Sequence, residues 1–209
     1  MGNATSHAEY KKPDPRTSMV HSELCAVHTT WKKFQEHDKG PGIFMELFTR
    51  YPEYKLIFPE FAYMSDEELA IYPRFLAHGV AVVYQVSSFV DTLDDSALLL
   101  ELMRKNARRH YYRKGVTPMH FFTLTQVIKL FLQQKLGQLM SDEAVSGWDK
   151  LFALLIETTK AEYKHLEHLE HEEHEENEKR RKMSTVSRVS RISKSSKSPK
   201  SPTKSPKHV

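Results

Sequence analysis

Apolar residues recur at steps of three and four from Ser22 to about residue 160, and no useful stretch alternates polar and apolar with period two. That spacing lines one face of successive helices and excludes strands. Cys25, Val27, Trp31 and Phe34 mark a first helix, which Lys39-Gly40-Pro41-Gly42 breaks. Ile43, Phe44, Leu47 and Phe48 begin a second, ended by Pro52, and a short turn follows through Tyr54 and Leu56. Ser65-Asp66-Glu67-Glu68 is a capping-box pattern, and Pro73 suits the first turn of a longer helix. On that helix His78, Val82, Val86, Phe89 and Leu93 follow at steps of 4, 4, 3 and 4, a single face. Further helices are predicted through Leu98–His110 and Thr117–Leu136. Ser141 caps a last one, with Trp148, Phe152, Leu155 and Ile156 turned inward. The pattern predicts one all-α domain of seven or eight helices over residues 18–160.

The flanks read differently. Residues 1–17 have no periodicity and are expected to form a disordered arm. Residues 161–178 extend the last helix, but acids and histidines replace its apolar residues. Residues 179–209 form a Ser/Pro/Lys tail with too few large apolar residues to offset its ordering entropy, so disorder is expected there as well.

Charge sharpens this division. The net +4 hides eleven Lys and Arg and no acids after residue 178, leaving 20 bases against 27 acids in the first 178 residues. An acidic body argues against nucleic acid as a partner despite the basic tail. The single cysteine excludes an internal disulfide and suits a reducing compartment. No run of 18 apolar residues occurs, the start lacks the apolar core of a secretory signal, and no Gly-rich phosphate loop is present. A cytoplasmic protein is expected.

Two of the twelve histidines stand apart. His78 lies on the apolar face of the long helix, one turn before Val82, and His110 closes the next helix 32 residues later. If the two helices pack together, the imidazoles can face one another across a gap that a flat apolar cofactor could fill, with one ring nitrogen on each side of a metal. The plainer reading is a core histidine and a cation at a helix C-terminus. Spacing leaves both open. Phe44, Phe58 and Phe61 bring large aromatics into the same region, and Phe58-Pro59-Glu60-Phe61 falls in a connection, where such residues are unusual unless they cover something. His165, His168, His171 and His174 recur every three residues. Pairs at that spacing can hold a metal, but nine acids against two lysines from Glu157 to Glu178 make a solvated face sufficient.

With Trp31, Phe44, Leu47, Phe48, Pro52, Phe58, Phe61, His78, Val82, His110, Gly115-Val116 and Phe121 in register, the chain resembles the globin family over residues 18–160, in particular its neuroglobin-like and nematode intracellular members. The resemblance implies a globin fold around a haem b pocket. It places His110 as proximal iron ligand and His78 as distal ligand, with Phe44, Phe58, Phe61, Val82, Val116 and Phe121 against the haem. Three departures are visible. Asn106 takes a position usually held by leucine, the loop from His110 to Gly115 is longer than the family's by about one residue, and Phe44 stands where a distal tyrosine could hold dioxygen. The resemblance implies binding of dioxygen or another diatomic gas, electron exchange with a donor or acceptor, or redox or oxygen sensing. Alternatives on the same fold are a nitric oxide dioxygenase, a peroxidase-like enzyme, or a haemless signalling module. Without a reductase domain or a dedicated proton-transfer constellation, the enzymatic reading ranks below binding.

Met1-Gly2-Asn3-Ala4-Thr5-Ser6 fits an N-myristoylation pattern with Gly2 as acceptor. One acyl chain binds marginally, on the order of 10⁴ M⁻¹, and the basic tail supplies a second, electrostatic signal. The inner face of the plasma membrane is the expected location. Ser184, Ser190, Ser193, Ser198, Ser201 and Ser205 are expected kinase targets, beside arginines or before prolines. Each phosphate would cancel roughly 1.5 to 2 of the tail's charges.

Overall fold

The computed structural model describes residues 12–37 and 40–195, with side-chain surroundings through residue 183. Prolines and short polar side chains start its helices. Helix α1 spans His21–His37, α2 Pro41–Arg50, α3 Asp66–Ile71, α4 Pro73–Val90, α5 Ser96–Tyr111, α6 Pro118–Leu136 and α7 Asp142–Ser195. Pro41, Pro73 and Pro118 occupy first-turn positions of α2, α4 and α6, where a missing N–H costs nothing. Ser65 and Glu68 complete the expected capping box of α3. Asp95 Oδ1 accepts from the Leu98 N–H at the start of α5, 3.0 Å. Ser141 Oγ accepts from the Ala144 N–H before α7, 3.3 Å. The segment after Pro52 is a 3-10 helix, Pro52–Ile57, and another short one spans Gly137–Leu139. Among the described residues the secondary structure is entirely helical.

Residues up to Lys164 form one compact unit and those from His165 another. The core of the first joins Trp31 and Phe34 of α1, Val86 and Phe89 of α4, Leu99 and Met103 of α5, Leu132 of α6, and Trp148 and Leu151 of α7. Burying side chains of this size contributes about 1.5–3 kcal/mol each, which exceeds any helix propensity. Both indoles keep partners: Trp31 Nε1 donates to Ser87 Oγ at 2.9 Å and Trp148 Nε1 to Thr30 Oγ1 at 3.0 Å. A second, mostly aromatic cluster gathers Phe44, Phe48, Phe61, Leu69 and Phe75.

Two boundaries differ from the sequence expectation. Helix α4 stops at Val90, and Leu93 is buried from the following turn, where its N–H bonds Val90 O at 3.2 Å. Helix α7 does not end near residue 178 but continues to Ser195, into the segment expected to be disordered. Its apolar content is as low there as the sequence indicates. What favours continuation is charge at helical spacing, with Glu175–Lys179, Glu176–Arg180 and Glu178–Lys182 paired i,i+4. In the same unit His168 and His171 face Glu172 and Glu175, and no metal-binding cluster exists among the described residues. Nor is any described helix long and apolar enough to cross a membrane.

Candidate functional site

The site begins where α2 meets α4. Gly40, at φ 114, and Gly79 press backbone on backbone, so that a Cβ on Gly40 would lie 2.2 Å from Gly79 O. No other residue fits either position, and the contact fixes the height of α4 against α2. His78 is the next residue. Its ring meets the edges of Phe44 at 4.6 Å and Phe58 at 5.1 Å between centroids. Among the described residues no group hydrogen-bonds His78. Burial pushes its pKa down from 6.5 to about 4, helped by the charges of Arg113 and His110. The imidazole is therefore neutral at pH 7, with a lone pair available.

His110 is held differently. Its Nδ1 lies 2.8 Å from Asn106 O one turn back. A carbonyl only accepts, so Nδ1 carries the proton and Nε2 keeps the lone pair. Burial lowers the His110 pKa, opposed by that hydrogen bond and reinforced by Arg113 and Arg109. Phe121 of α6 packs edge-on against the ring at 5.1 Å.

Both histidines line one cleft with two lobes. The first, about 680 Å³ and partly open to solvent, is walled by Phe44, Leu47, Tyr54, Phe58, Val116 and His120. The second, about 820 Å³ and partly open to solvent, is lined by Val86, Phe89, Asn106 and Ile128. His78, Val82, His110, Arg113, Phe121 and Leu124 belong to both lobes. The structure thus gathers seven of the eight pocket residues named from sequence at this cleft. Phe61 is the exception: it lies behind Phe58, stacked on it at 5.0 Å, and lines neither lobe. Ser184, Ser190 and Ser193 fall within α7, whereas Gly2, Ser198, Ser201 and Ser205 lie outside the described residues.

Sequence reasoning passed over Arg113, Leu124, Tyr54 and His120. Arg113 reads as an ordinary loop cation, yet it borders both lobes. Tyr54 is tied by its hydroxyl to Thr123 Oγ1 at 2.8 Å, a pairing 69 residues apart that no local pattern announces. His120 accepts the Thr117 N–H on Nδ1 at 3.0 Å, and its place in a capping arrangement was the available signal.

Residues 42–159 match the family model for Globin, more than half of the chain. The chain belongs to the globin family. It is 28% identical to Cytoglobin-1 of Oryzias latipes over 163 residues, covering 77% of this chain and 89% of that one. It is 30% identical to a globin of Buccinum undatum over 147 residues, covering 67% and 98%. Its fold matches a hexacoordinated haem protein from an anhydrobiotic tardigrade with a TM-score of 0.67 at 19% identity, covering 72% of this chain and 99% of that one. At that identity the likeness is one of fold.

The cleft of this globin fits a haem on its own chemistry. Two neutral imidazoles line both lobes, and one of them has its tautomer set by a backbone carbonyl, as iron-ligating histidines usually do. Apolar and aromatic walls suit a flat ring, while Arg113 stands where a carboxylate could meet it.

Proposed function

We propose that this globin holds a b-type haem between His110 and His78 and uses it for reversible binding of a diatomic gas coupled to electron exchange. The observation that carries the reading is that both histidines line both lobes of one apolar cleft. If bound, haem would supply an iron able to take an imidazole or a diatomic ligand and to change its charge by one electron.

The chain's own residues do the rest. Asn106 O orients His110 and makes its Nε2 the better donor. Phe44 and Phe58 hold the His78 ring by its edges without hydrogen bonds, so His78 can ligate or swing aside at little polar cost. Phe44 also puts no hydroxyl near a bound gas. A ligand must then displace His78 to enter, which favours redox or oxygen sensing over bulk oxygen storage. Absorption spectra of ferric and ferrous protein, with and without carbon monoxide, test this. Sharp six-coordinate ferrous bands that carbon monoxide replaces are expected. A broad five-coordinate ferrous spectrum would return His78 to the role of a gate.

Attachment at the inner plasma-membrane leaflet belongs to the same proposal. It rests on the Gly2 pattern and on eleven tail charges, modulated by kinases acting on the tail serines.

A further inference from the structure

The surface around the end of α5 carries charge of one sign. Arg104, Lys105, Arg108, Arg109, Arg113 and Lys114 put six cations into eleven residues, all exposed, and no acid occurs between Glu101 and Asp142. Two of the six are engaged: Arg108 pairs with Glu162 at 2.5 Å and with Glu101 at 3.4 Å, and Arg104 with Glu101 at 3.6 Å. Among the described residues no acid pairs with Lys105, Arg109, Arg113 or Lys114. A helix C-terminus favours cations in its last turn, which accounts for Arg108 and Arg109. It does not account for Lys105, a turn earlier, or for Arg113 and Lys114, beyond the end. Lys105 and Arg109, at i,i+4, repel, so the row weakens the helix rather than supporting it.

The place of the row gives it a use. Arg109 lines the second lobe of the cleft, and Arg113 lines both lobes together with His78 and His110. The exposed cations therefore border the open edge of the site. We propose that this row is the docking face for an acidic one-electron donor protein, which delivers its electrons at the edge of the cleft. The inference rests on the haem reading above and deepens it by naming the partner's chemistry. Even with Arg109 and Arg113 each meeting a haem carboxylate, Lys105 and Lys114 remain for the partner.

The spread of the charges selects this occupant. From Lys105 to the end of α5 at Tyr111 the helix rises about 9 Å, and Arg113 and Lys114 lie beyond it. Cations over that length meet a face, not one small anion. Nucleic acid is disfavoured by 27 acids against 20 bases in the first 178 residues. A lipid leaflet lying on this face would cover the cleft, and the eleven charges after residue 178 already suit such a surface. Transient electron-transfer contacts are small and are steered by opposite charge, which raises encounter rates by roughly 10- to 1000-fold at low salt. That is what four exposed, unpaired cations beside an open site supply. Each encounter moves one electron. The donor's anionic reduced flavin becomes its neutral one-electron-oxidised form as ferric iron becomes ferrous, so no proton or leaving group moves.

The test uses the full chain loaded with haem, its loading read from the Soret band, and flavodoxin as the acidic one-electron probe. Oxidised flavodoxin is joined to the protein with a carbodiimide, which links lysine amines to carboxylates, and the links are located by tandem mass spectrometry. They are expected on Lys105 and Lys114. Reduced flavodoxin should reduce the ferric haem at a rate that falls roughly tenfold or more between about 0.01 and about 0.2 M salt. Lys105→Glu with Lys114→Glu should slow it by a similar factor with the Soret band unchanged. Lys32→Glu with Lys33→Glu, the same change of charge on α1, should not. The neutral lumiflavin radical, generated by a flash, should react equally with all three proteins. With the Soret band present, links scattered over Lys32, Lys33 and other exposed lysines, or equal slowing in both double variants, overturns the docking face alone. Loss of binding to phosphatidylserine vesicles in the first double variant, with flavodoxin reduction intact, gives the face to the leaflet and overturns the proposal too. No Soret band overturns the haem reading and electron delivery with it.

Discussion

Gly79 carries no side chain because Gly40 and Pro41 occupy its space: a Cβ there would lie 2.6 Å from Pro41 N and 2.9 Å from Gly40 C. Backbone cannot yield as a side-chain end does, so α4 would have to lift from α2. Since His78 is the adjacent residue, the two glycines set how far its ring reaches into the cleft. Gly79→Ala is expected to destabilise the fold by about 2–3 kcal/mol, the upper part of the range for overpacking. Chemical denaturation measures the loss. The same variant should bind carbon monoxide with altered kinetics, because His78 is displaced; wild-type stability and kinetics together would show that α4 has room.

The Trp148 indole supplies a second prediction. Its N–H has Thr30 Oγ1 as acceptor, 3.0 Å away, in a buried site. Thr30→Val keeps the shape and removes the acceptor, leaving a buried donor unpaired. A loss of about 1–3 kcal/mol is expected by urea denaturation, while Thr30→Ser should lose less because the oxygen stays.

Glu23 governs an acid dependence. Its buried carboxylate accepts from Ser146 Oγ at 2.6 Å, from Lys150 Nζ at 2.6 and 2.7 Å, and from the Val20 N–H at 2.9 Å. Burial alone would raise its pKa, but these bonds together bring it below the ordinary 4.5. A carboxyl depressed in the folded state adds stability that is present above pH 4.5 and lost as pH falls through its lower folded value. Glu23→Gln should therefore cost about 2 kcal/mol at pH 7 and less at pH 3. An equal loss at both values in thermal melts would refute the ionised role.

For the pocket, His110→Ala should abolish or sharply reduce haem retention after purification, and His78→Leu should keep the haem but convert the ferrous spectrum from six- to five-coordinate. Retained haem with an unchanged Soret band in His110→Ala would remove His110 from the ligand set.

The proposed attachment predicts that neither signal suffices by itself. The acyl chain alone binds marginally, and the tail's attraction is screened beyond about 8–10 Å in physiological salt. In cell fractionation Gly2→Ala should be soluble. Truncation after Glu178, and a tail with its serines changed to Glu, should both shift toward the soluble fraction. Gly2→Ala partitioning like wild type would end the anchor idea.

What the sequence determined by itself was local. Helix starts at Pro41, Ser65, Pro73 and Ser141 need only the residues within one turn, so capping and proline chemistry made them legible. The place of His78, Val82 and Phe89 on one helix face follows from spacing alone. Bringing His78 and His110 to one cleft was legible only through the family resemblance, because nothing local states how α4 and α5 pack. The tertiary structure decided the rest. Gly40 reads as a turn residue and Gly79 as a weak point in a helix, until the crossing shows why each lacks a Cβ. Asn106 reads as a polar intruder on the proximal side, yet its backbone carbonyl, which any residue would supply, orients His110. Tyr163 looks like part of a charged extension, but it is buried against Tyr111 and Phe121 because the first unit reaches Lys164. Apart from the Asn106–His110 bond, which lies within one turn of α5, these relationships join residues 39 to 52 positions apart, and such contacts depend on packing that no single segment encodes.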